Sequence, residues 1–292
     1  MDLNGVAVSY GGKILRPLEG EVLVVDKPLG WSSFHVVKRL RGALSSRLKK
    51  AGIKKIKVGH AGTLDPLATG VMVICIGKAT KRIDELQAGV KEYLATVKLG
   101  ATTPSFDLET PIDEVYPVEH ITRQLVESSL EKFRGRIEQV PPTYSACKVD
   151  GCRAYKMARK GEDVELKPKT LVIDAIELLD YTGDEITIRV VCSKGTYIRA
   201  LARDIGKALD SGAHLTALRR VRVGDNDLAI ALSVEDTVKM LCDAPMTVGD
   251  DNGNEVEVPE AVFHCSSFEK ADIKPFAERM HGANGWLPRI SK

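Results

Sequence analysis

A stretch of twelve residues from Gly59 to Gly70 (Gly-His-Ala-Gly-Thr-Leu-Asp-Pro-Leu-Ala-Thr-Gly) places reactive side chains between glycines. Glycine allows backbone conformations that other residues resist, and Pro66 fixes the chain directly after Asp65. We therefore predict a stiff loop that displays a carboxylate, a histidine and two threonine hydroxyls. A carboxylate held in this way suits a nucleophile or a general base. An isolated Asp-Pro pair would more simply indicate a turn.

Five further motifs lie before and after this loop. Each motif alone has an ordinary structural explanation, but the ordered set is too specific to arise by chance. In chain order the motifs are 24–33 (Val-Val-Asp-Lys-Pro-Leu-Gly-Trp-Ser-Ser), 91–93 with 99–100 (Lys-Glu-Tyr and Leu-Gly), 140–148 (Val-Pro-Pro-Thr-Tyr-Ser-Ala-Cys-Lys) with 151–161, 192–199 (Cys-Ser-Lys-Gly-Thr-Tyr-Ile-Arg) and 212–220 (Gly-Ala-His-Leu-Thr-Ala-Leu-Arg-Arg).

Together, over roughly Val22–Val223, these motifs resemble the signature of TruB-type pseudouridine synthases. The resemblance implies a stand-alone enzyme that isomerises one uridine in the T-loop of tRNA, at position 55. In that reaction the N1–C1′ bond breaks, the base rotates and it rejoins the sugar through C5. The base must first leave the RNA stack, at a cost of roughly a few kcal/mol. Because no oxidation, hydrolysis or net group transfer occurs, we expect no cofactor and no metal.

The resemblance also implies the catalytic residues. Asp65 stands at the position of the catalytic aspartate, Tyr197 at that of the tyrosine that moves a proton at C5, and Arg199 at that of the arginine that pairs with the aspartate. Whether the Asp65 carboxylate adds to the base or assists its departure from C1′ is left open by the sequence.

A second group of positions would contact the substrate or support the loop. By resemblance, Tyr93 stacks on the target base, Leu218 forms an apolar wall of the pocket and His60 enters the space that the uridine leaves. Thr63 is a further substrate-binding candidate, and Lys27 belongs to the motif that supports the loop. Tyr93 alone would more often be a core residue of a strand, and His60 alone an ordinary loop histidine.

The charge distribution favours a polyanionic partner. The formal net charge is +2, yet residues 31–60 carry nine basic side chains (38, 39, 41, 47, 49, 50, 54, 55, 57) and no acidic one, and residues 194–222 carry seven basic against two acidic. Neutralising phosphates dominates affinity for nucleic acids. Either stretch alone could be a solvated helix face, whereas the pair favours a nucleic-acid partner. With the resemblance, we expect both stretches to contact phosphates of the tRNA T-arm. Beyond residue 222 the balance reverses to thirteen acidic against six basic.

The apolar pattern predicts an α+β protein. Strands are expected at 21–25, 71–76, 92–99 and 218–223, with a hairpin at 171–181 and 185–192, and helices are expected from Ser32 or Ser33 and at 121–133 and 196–209. These elements do not alternate as regular βαβ units, which argues against a doubly wound parallel sheet. By resemblance, the fold is the pseudouridine synthase fold, a mixed, largely antiparallel sheet flanked by helices, plus a short C-terminal appendage.

The span of the motifs and the change in charge divide the chain into three parts. We predict an N-terminal extension at 1–20, a catalytic domain at 21–232 and a small acidic segment at 233–292. An RNA-clasping insertion is expected roughly within 101–170. Stand-alone relatives often end in a PUA domain, but the segment after Gly249 is too short for a full one.

The sequence also predicts the location of the protein, its oligomeric state and the absence of a zinc site. We expect no signal peptide, and the longest wholly apolar run is Val71–Ile76, so we predict a cytoplasmic protein without membrane contact. The six cysteines and six histidines lack zinc-ligand spacing. We expect a monomer whose partner is tRNA.

Two rival functions share these motifs. A guide-RNA-dependent relative usually has Ser where this chain has Ala61, and it depends on partner proteins. A non-catalytic chaperone would fold tRNA through the same cleft, but it would not need the complete set of Asp65, Tyr197 and Arg199. A zinc base deaminase lacks support because His-x-Glu and Cys-x-x-Cys are absent. The segment Gly70–Ala79 has the wrong spacing for a phosphate loop.

Overall fold

The computed structural model describes residues 14–145, 148–149, 152–153, 166–249 and 255–258. The strands are β1 (Glu21–Lys27), β2 (Val58–His60), β3 (Ala68–Ile76), β4 (Lys91–Leu99), β5 (Ala101–Thr102), β6 (Glu114–Val115), β7 (Gly135–Gln139), β8 (Lys148–Val149), β9 (Cys152–Arg153), β10 (Lys169–Tyr181), β11 (Glu185–Cys192), β12 (Ala213–Val223), β13 (Asn226–Asp227), β14 (Leu232–Ser233), β15 (Thr247–Gly249) and β16 (Glu255–Glu257). The α-helices are α1 (Ser33–Lys50), α2 (Ile83–Ala88), α3 (Arg123–Glu131), α4 (Ile198–Ala208) and α5 (Val234–Asp243), and short 3₁₀ helices cover Gly77–Arg82 and Leu228–Ile230.

A ten-stranded sheet organises the molecule in the order β14-β1-β3-β12-β4-β11-β10-β7, with β13 beside β12 and β2 beside β3. The β1–β14 and β3–β12 pairs are parallel and the other pairs are antiparallel. The predicted α+β class with a mixed, largely antiparallel sheet is therefore confirmed. The parallel β3–β12 pair sets Ala68 opposite Leu218 and Gly70 opposite Arg220. It brings the end of the glycine-punctuated loop beside a distant part of the sequence.

Strands β1 and β3 are buried on both faces, which explains their continuous apolar runs. On one face Leu23 and Met72 join the main core, where the apolar side of α1 packs. On the other face Val24 and Val73 belong to a smaller cluster with Ala79 of the first 3₁₀ helix. By contrast, β4 buries every second residue, because only one of its faces is covered over its full length.

Helix boundaries follow local capping signals. The Ser32 hydroxyl accepts a hydrogen bond from the His35 amide at 3.2 Å, so Ser32 is the N-cap of α1 and Ser33 its first residue. Helix α4 starts at Ile198, later than predicted, because Tyr197 has an extended backbone (φ −99°, ψ 107°).

Strand β12 starts at Ala213, earlier than predicted. A register shift between Leu215 and Ala217 interrupts its alternation and hides its first half from pattern reading.

Segments outside the predicted catalytic domain pack into the same core. Helix α5 contributes Val234 and Leu241 to the main apolar cluster, and Leu15 of the N-terminal extension is 1% exposed there. The Leu15 amide donates to the Pro245 carbonyl at 2.8 Å, which ties the N-terminal end of the described chain to the segment after α5. The division of the chain at residue 232 stays a prediction; the main core extends across it.

Several predicted features lie outside the described residues. These are residues 1–13 of the extension, most of the tail (250–254 and 259–292), and residues 146–147, 150–151 and 154–165 of the RNA-clasping insertion. Over the part of the chain that is described, no helix is long and apolar enough to cross a membrane.

Candidate active site

The loop that carries Asp65 connects β2 to β3 and is fixed by its own backbone. The Asp65 carbonyl accepts from the Ala68 amide at 3.0 Å, and the Pro66 carbonyl accepts from the Gly30 amide at 2.8 Å. At the loop's end, Gly70 has φ +103°, and a Cβ there would lie 2.1 Å from the Arg220 carbonyl oxygen. Only glycine fits this close approach of two backbones.

The motif at 24–33 supports the loop from one side. Lys27 is fully buried, and its Nζ donates to the carbonyls of Pro28 (2.9 Å), Trp31 (2.6 Å) and, more weakly, Pro66 (3.4 Å). Burial lowers the pKa of Lys27 from 10.5 to about 8, although the nearby Asp65 carboxylate opposes the shift.

Ser33 holds the residue directly before Asp65. The Ser33 hydroxyl donates to the Leu64 carbonyl and accepts from the Leu64 amide, both at 2.8 Å. Ser33 is 3% exposed. One small side chain therefore satisfies both backbone groups of the residue before Asp65 without help from water.

Arg220 supports the loop from the sheet side. It is 1% exposed, and its guanidinium donates to the carbonyls of Val71 (2.8 Å), Gly62 (3.2 Å) and Thr63 (3.4 Å). Burial raises the pKa of Tyr93, and the charge of Arg220 opposes that shift. Arg220 belongs to the motif at 212–220, but the sequence does not predict its role, because nothing in the sequence shows that this side chain points inward.

Arg199 connects Asp65 to two other segments. Its Nη2 lies 2.9 Å from Asp65 Oδ2 and also donates to the Tyr144 carbonyl at 2.9 Å, while Nη1 donates to the Ser105 carbonyl at 3.1 Å. Its Nε lies 3.5 Å from Asp107 Oδ2. The predicted partner of Asp65 is thus adjacent to it, and Arg199 has a second carboxylate that the sequence did not reveal.

Asp107 is almost completely buried, at 4% exposure. Burial raises the pKa of Asp107, and the Arg199 guanidinium opposes that shift. Its Oδ1 accepts from the Glu109 amide at 2.9 Å. The carboxylate therefore has a fixed direction, toward the face of Arg199 that does not contact Asp65.

A pocket opens between Asp65 and strand β12. Its described lining is Asp65, Leu67, Ala68, Asp107, Arg199, Leu215, Thr216, Ala217 and Leu218. Three residues predicted from distant motifs, Asp65, Arg199 and Leu218, therefore meet at one cavity. Tyr93 and Tyr197 lie outside this lining.

The remaining predicted residues lie around the pocket rather than in it. His60 ends β2 opposite Ile74 and is partly buried; burial and the Arg220 charge lower its pKa. Thr63 is exposed. Tyr197 is partly buried and directly precedes α4, the helix that carries Arg199.

The two basic stretches are not equally accessible. In the first, the exposed members are Lys38, Arg41, Lys49, Lys50, Lys54, Lys55 and Lys57. Arg47, however, is 1% exposed and donates to the carbonyls of Leu241, Ala244 and Val258 at 2.6–3.1 Å. It holds the C-terminal segment against α1 and has no guanidinium to offer a phosphate.

In the second stretch Lys194 and Lys207 are exposed, whereas the five arginines are partly or fully buried, and the contact of this stretch with phosphates stays a prediction. Arg199 and Arg220 are buried. Arg203, Arg219 and Arg222 form ion pairs whose partners are Asp204, Asp26 and Glu92 respectively. A cluster of cations in sequence does not distinguish side chains that support the fold from side chains that face solvent.

Two family profiles match the chain. Residues 49–198 match the family described as "TruB family pseudouridylate synthase (N terminal domain)", and residues 199–245 match "tRNA pseudouridylate synthase B C-terminal domain". Among curated proteins, tRNA pseudouridine synthase B of Phocaeicola vulgatus is 70% identical over 217 residues, which cover 74% of this chain and 91% of that protein. The protein of the same name in Flavobacterium johnsoniae is 53% identical over 218 residues (74% and 94%), and that of Mycobacterium bovis is 46% identical over 220 residues (74% and 70%).

Solved structures of larger proteins share the fold. A chain of a Cbf5–Nop10–Gar1 complex superimposes with a TM-score of 0.56 at 27% identity, and the match covers 82% of this chain and 61% of that one. A chain of an archaeal box H/ACA sRNP Nop10–Cbf5 complex gives 0.54 at 26% identity, covering 77% and 55%. The chain thus spans little more than half the length of these structural neighbours.

Proposed function

Since this chain belongs to the TruB family and is a tRNA pseudouridine synthase, an isomerase that converts uridine to pseudouridine, we propose that it acts on the uridine at position 55 of the T-loop and that Asp65 carries the chemistry. The observation that supports this most directly is the Asp65–Arg199 ion pair of 2.9 Å at the mouth of a pocket. The Asp65 side chain is 42% exposed and that of Arg199 only 5%. The carboxylate is therefore accessible to an incoming base, while the guanidinium that orients it is fixed.

The reaction needs a carboxylate that is ionised and held in one direction. The N1–C1′ bond breaks and a C5–C1′ bond forms; the proton on C5 is lost and N1 gains one, so the composition of the nucleotide is unchanged. Asp65 either adds to the base or assists its departure from C1′. Both routes require its negative charge and a free oxygen, and the Arg199 guanidinium, 2.9 Å away, holds the carboxylate in one direction.

Three side chains receive roles around the base in this proposal. Leu218 supplies an apolar wall, Tyr93 stacks on the base and Tyr197 moves the proton at C5. Leu218 lines the pocket with Asp65, and Tyr197 is two residues before Arg199, so both are within the same small region of the fold. Tyr93 is almost fully buried in β4, which restricts the plane of its ring for stacking.

Substrate entry involves the loop itself. The target base leaves the RNA stack, and His60 occupies the space it vacates, which offsets part of the lost stacking. Thr63 is exposed on the same loop and offers a hydroxyl to the RNA backbone. Lys27 acts indirectly, because its three carbonyl partners include Pro66, the residue after Asp65.

The RNA duplex contacts the exposed cations of α1 and the loop that follows it. Lys49, Lys54 and Lys55 are among the exposed members of this group, and phosphate neutralisation supplies most of the affinity for a structured RNA. We extend the proposal to a monomeric, cytoplasmic enzyme that modifies the T-arm of tRNA without a small-molecule cofactor.

A guide-RNA-dependent enzyme is the second candidate, since the structural neighbours come from box H/ACA assemblies. Two observations weigh against it. The relatives at 46–70% identity are named for tRNA. Ala61, where that class usually has Ser, is fully buried in the apolar cluster with Val71 and Val73, so a hydroxyl there would need a partner of its own.

The test is to incubate the purified protein alone with an unmodified tRNA transcript and map pseudouridine by mass spectrometry. We expect modification of the T-loop uridine without guide RNA, and no detectable product from Asp65→Asn. Binding by that variant should stay within about tenfold of wild type, because phosphate contacts lie elsewhere. Product that forms only when a guide RNA is added would support the second candidate. Substantial turnover by a folded Asp65→Asn protein would contradict the role of Asp65.

A further inference from the structure

Gln139 makes a two-point contact with the backbone of Tyr197. It is the last residue of β7 and is 1% exposed. Its side-chain oxygen accepts from the Tyr197 amide at 2.9 Å, and its side-chain nitrogen donates to the Tyr197 carbonyl at 3.2 Å. A buried primary amide with a donor and an acceptor is thereby matched to a single residue's backbone.

The backbone of Tyr197 needs such a partner because of its place in the fold. Tyr197 is the N-cap of α4, with an extended conformation and no side-chain capping bond to the helix. The amide of an N-cap residue has no acceptor within its own helix. Gln139 supplies that acceptor, while the Tyr197 carbonyl also accepts from the Leu201 amide at 3.0 Å. The two bonds fix the backbone dihedral angles from which the tyrosine ring projects.

Arg199, on the same helix, has contacts of its own. Its guanidinium is held independently by Asp65, Asp107 and the Ser105 carbonyl. Loss of the Gln139 contact should therefore disturb the direction of the Tyr197 ring more than the ion pair at Asp65.

We propose that Gln139 is a positioning residue, whose amide fixes Tyr197 in the orientation from which its hydroxyl moves the C5 proton. This inference rests on the role of Tyr197 proposed above. It assigns a function to a residue that lies directly before the motif at 140–148 and that belongs to none of the motifs. The alternation of β7 does carry a signal, because Gln139 stands at an inward position, where an apolar side chain is ordinary.

The experiment compares Gln139→Leu, which has a similar volume but no hydrogen-bonding group, with Gln124→Leu, a control at an exposed position of α3. Single-turnover rates are measured on tRNA whose uridine carries hydrogen or deuterium at C5. For Gln139→Leu we expect the rate to fall about tenfold to hundredfold, since small misplacements of a reacting group have effects of this size. The deuterium effect should increase, because transfer of the C5 proton becomes the slow step, while the Kd for tRNA stays within about twofold. Gln124→Leu should behave as wild type.

A double variant separates this inference from the role of Tyr197. If Gln139 acts through the phenol, Tyr197→Phe combined with Gln139→Leu should be no slower than Tyr197→Phe alone. If the effects of the two changes on the rate multiply, the inference is wrong. It is also wrong if Gln139→Leu has a normal rate and isotope effect while Tyr197→Phe is slow. Neither result would contradict the proposed role of Tyr197. A wild-type rate in Tyr197→Phe would overturn both the proposed role of the tyrosine and the inference.

Gln139→Glu provides a second test, which is valid even if the protein does not fold with leucine at position 139. An ionised carboxylate accepts from the Tyr197 amide but repels its carbonyl, whereas a protonated carboxyl group offers one donor and one acceptor, like glutamine. Burial raises the pKa of such a group. We expect the rate of Gln139→Glu relative to wild type to recover as the pH is lowered from 8 to about 6. A ratio that is constant with pH would contradict the requirement for a donor to the Tyr197 carbonyl.

Discussion

Arg199 lies 2.9 Å from Asp65 and 3.5 Å from Asp107, so that one guanidinium is shared by an accessible carboxylate and a buried one. The two acids come from separate loops, and neither is near Arg199 in sequence. Because the buried acid contacts the Nε side, the Nη2 group is left to orient Asp65. This arrangement makes Asp107 the first position to test.

Replacing Asp107 with Asn keeps its size and removes its charge. Arg199 would then be held less firmly, and we expect the catalytic rate to fall about tenfold to hundredfold with little change in tRNA affinity. This expectation is checked by measuring the rate and the Kd of Asp107→Asn and of wild type on the same tRNA transcript. Glu109→Gln, a neutralised acid nearby on the same loop, is the matched control and should retain its rate. A normal rate in Asp107→Asn would show that the other contacts of Arg199 are sufficient.

Substitutions of two neighbouring serines can distinguish support of the Asp65 loop from capping of α1. Ser33→Ala leaves both backbone groups of Leu64 buried without a partner, and we expect a loss of about 1–3 kcal/mol in unfolding free energy together with a lower catalytic rate. Ser32→Ala removes only the N-cap of α1 and should cost about 1 kcal/mol without a comparable loss of rate at a temperature where both variants are folded. Denaturant unfolding and turnover are the two measurements. Equal rates in the two variants would mean that Ser33 does not position Asp65.

The buried Lys27 predicts a specific dependence of stability on pH. Its pKa is lowered by burial from 10.5 to about 8, so between these values the unfolded chain binds a proton that the folded chain has lost. Stability then rises with pH across this window, and below pH 8 the cost of holding the charged amine inside is constant. We expect the unfolding free energy of wild type relative to Lys27→Met to increase by up to about 3 kcal/mol between pH 8 and 10.5. Lys91, whose pKa is also lowered to about 8, is present in both proteins and cancels in the difference.

The exposed lysines after α1 should determine how tRNA affinity depends on salt. Changing both Lys54 and Lys55 to Ala should weaken binding and reduce the slope of log affinity against log salt by up to about 2. The matched control changes Lys132 and Lys239, exposed lysines outside the two basic stretches, to Ala, and should leave the slope unchanged. Filter binding at several salt concentrations measures both. Equal slopes in the two double variants would show that Lys54 and Lys55 do not contact phosphates.

The sequence by itself determined the family, the catalytic loop and most of the elements. Glycine spacing and Pro66 mark a rigid loop around Asp65, and the apolar runs of β1 and β3 identify central strands, because backbone preference and side-chain periodicity are local properties. The same holds for the cap at Ser32. Such features can be inferred from a few adjacent residues, and the structure has them where the pattern indicated, within a few residues at the ends.

Only the tertiary structure decided which polar side chains meet. Asp107, Gln139 and Arg220 each contact the site through partners far away in sequence, and no local pattern specifies such a contact. Charge is equally ambiguous, since Arg47 and Lys49 are two residues apart, yet one is 1% exposed and the other faces solvent. The physical reason is that the energy of a charged or amide side chain depends on its burial and its partners, and both are fixed only when distant segments pack together.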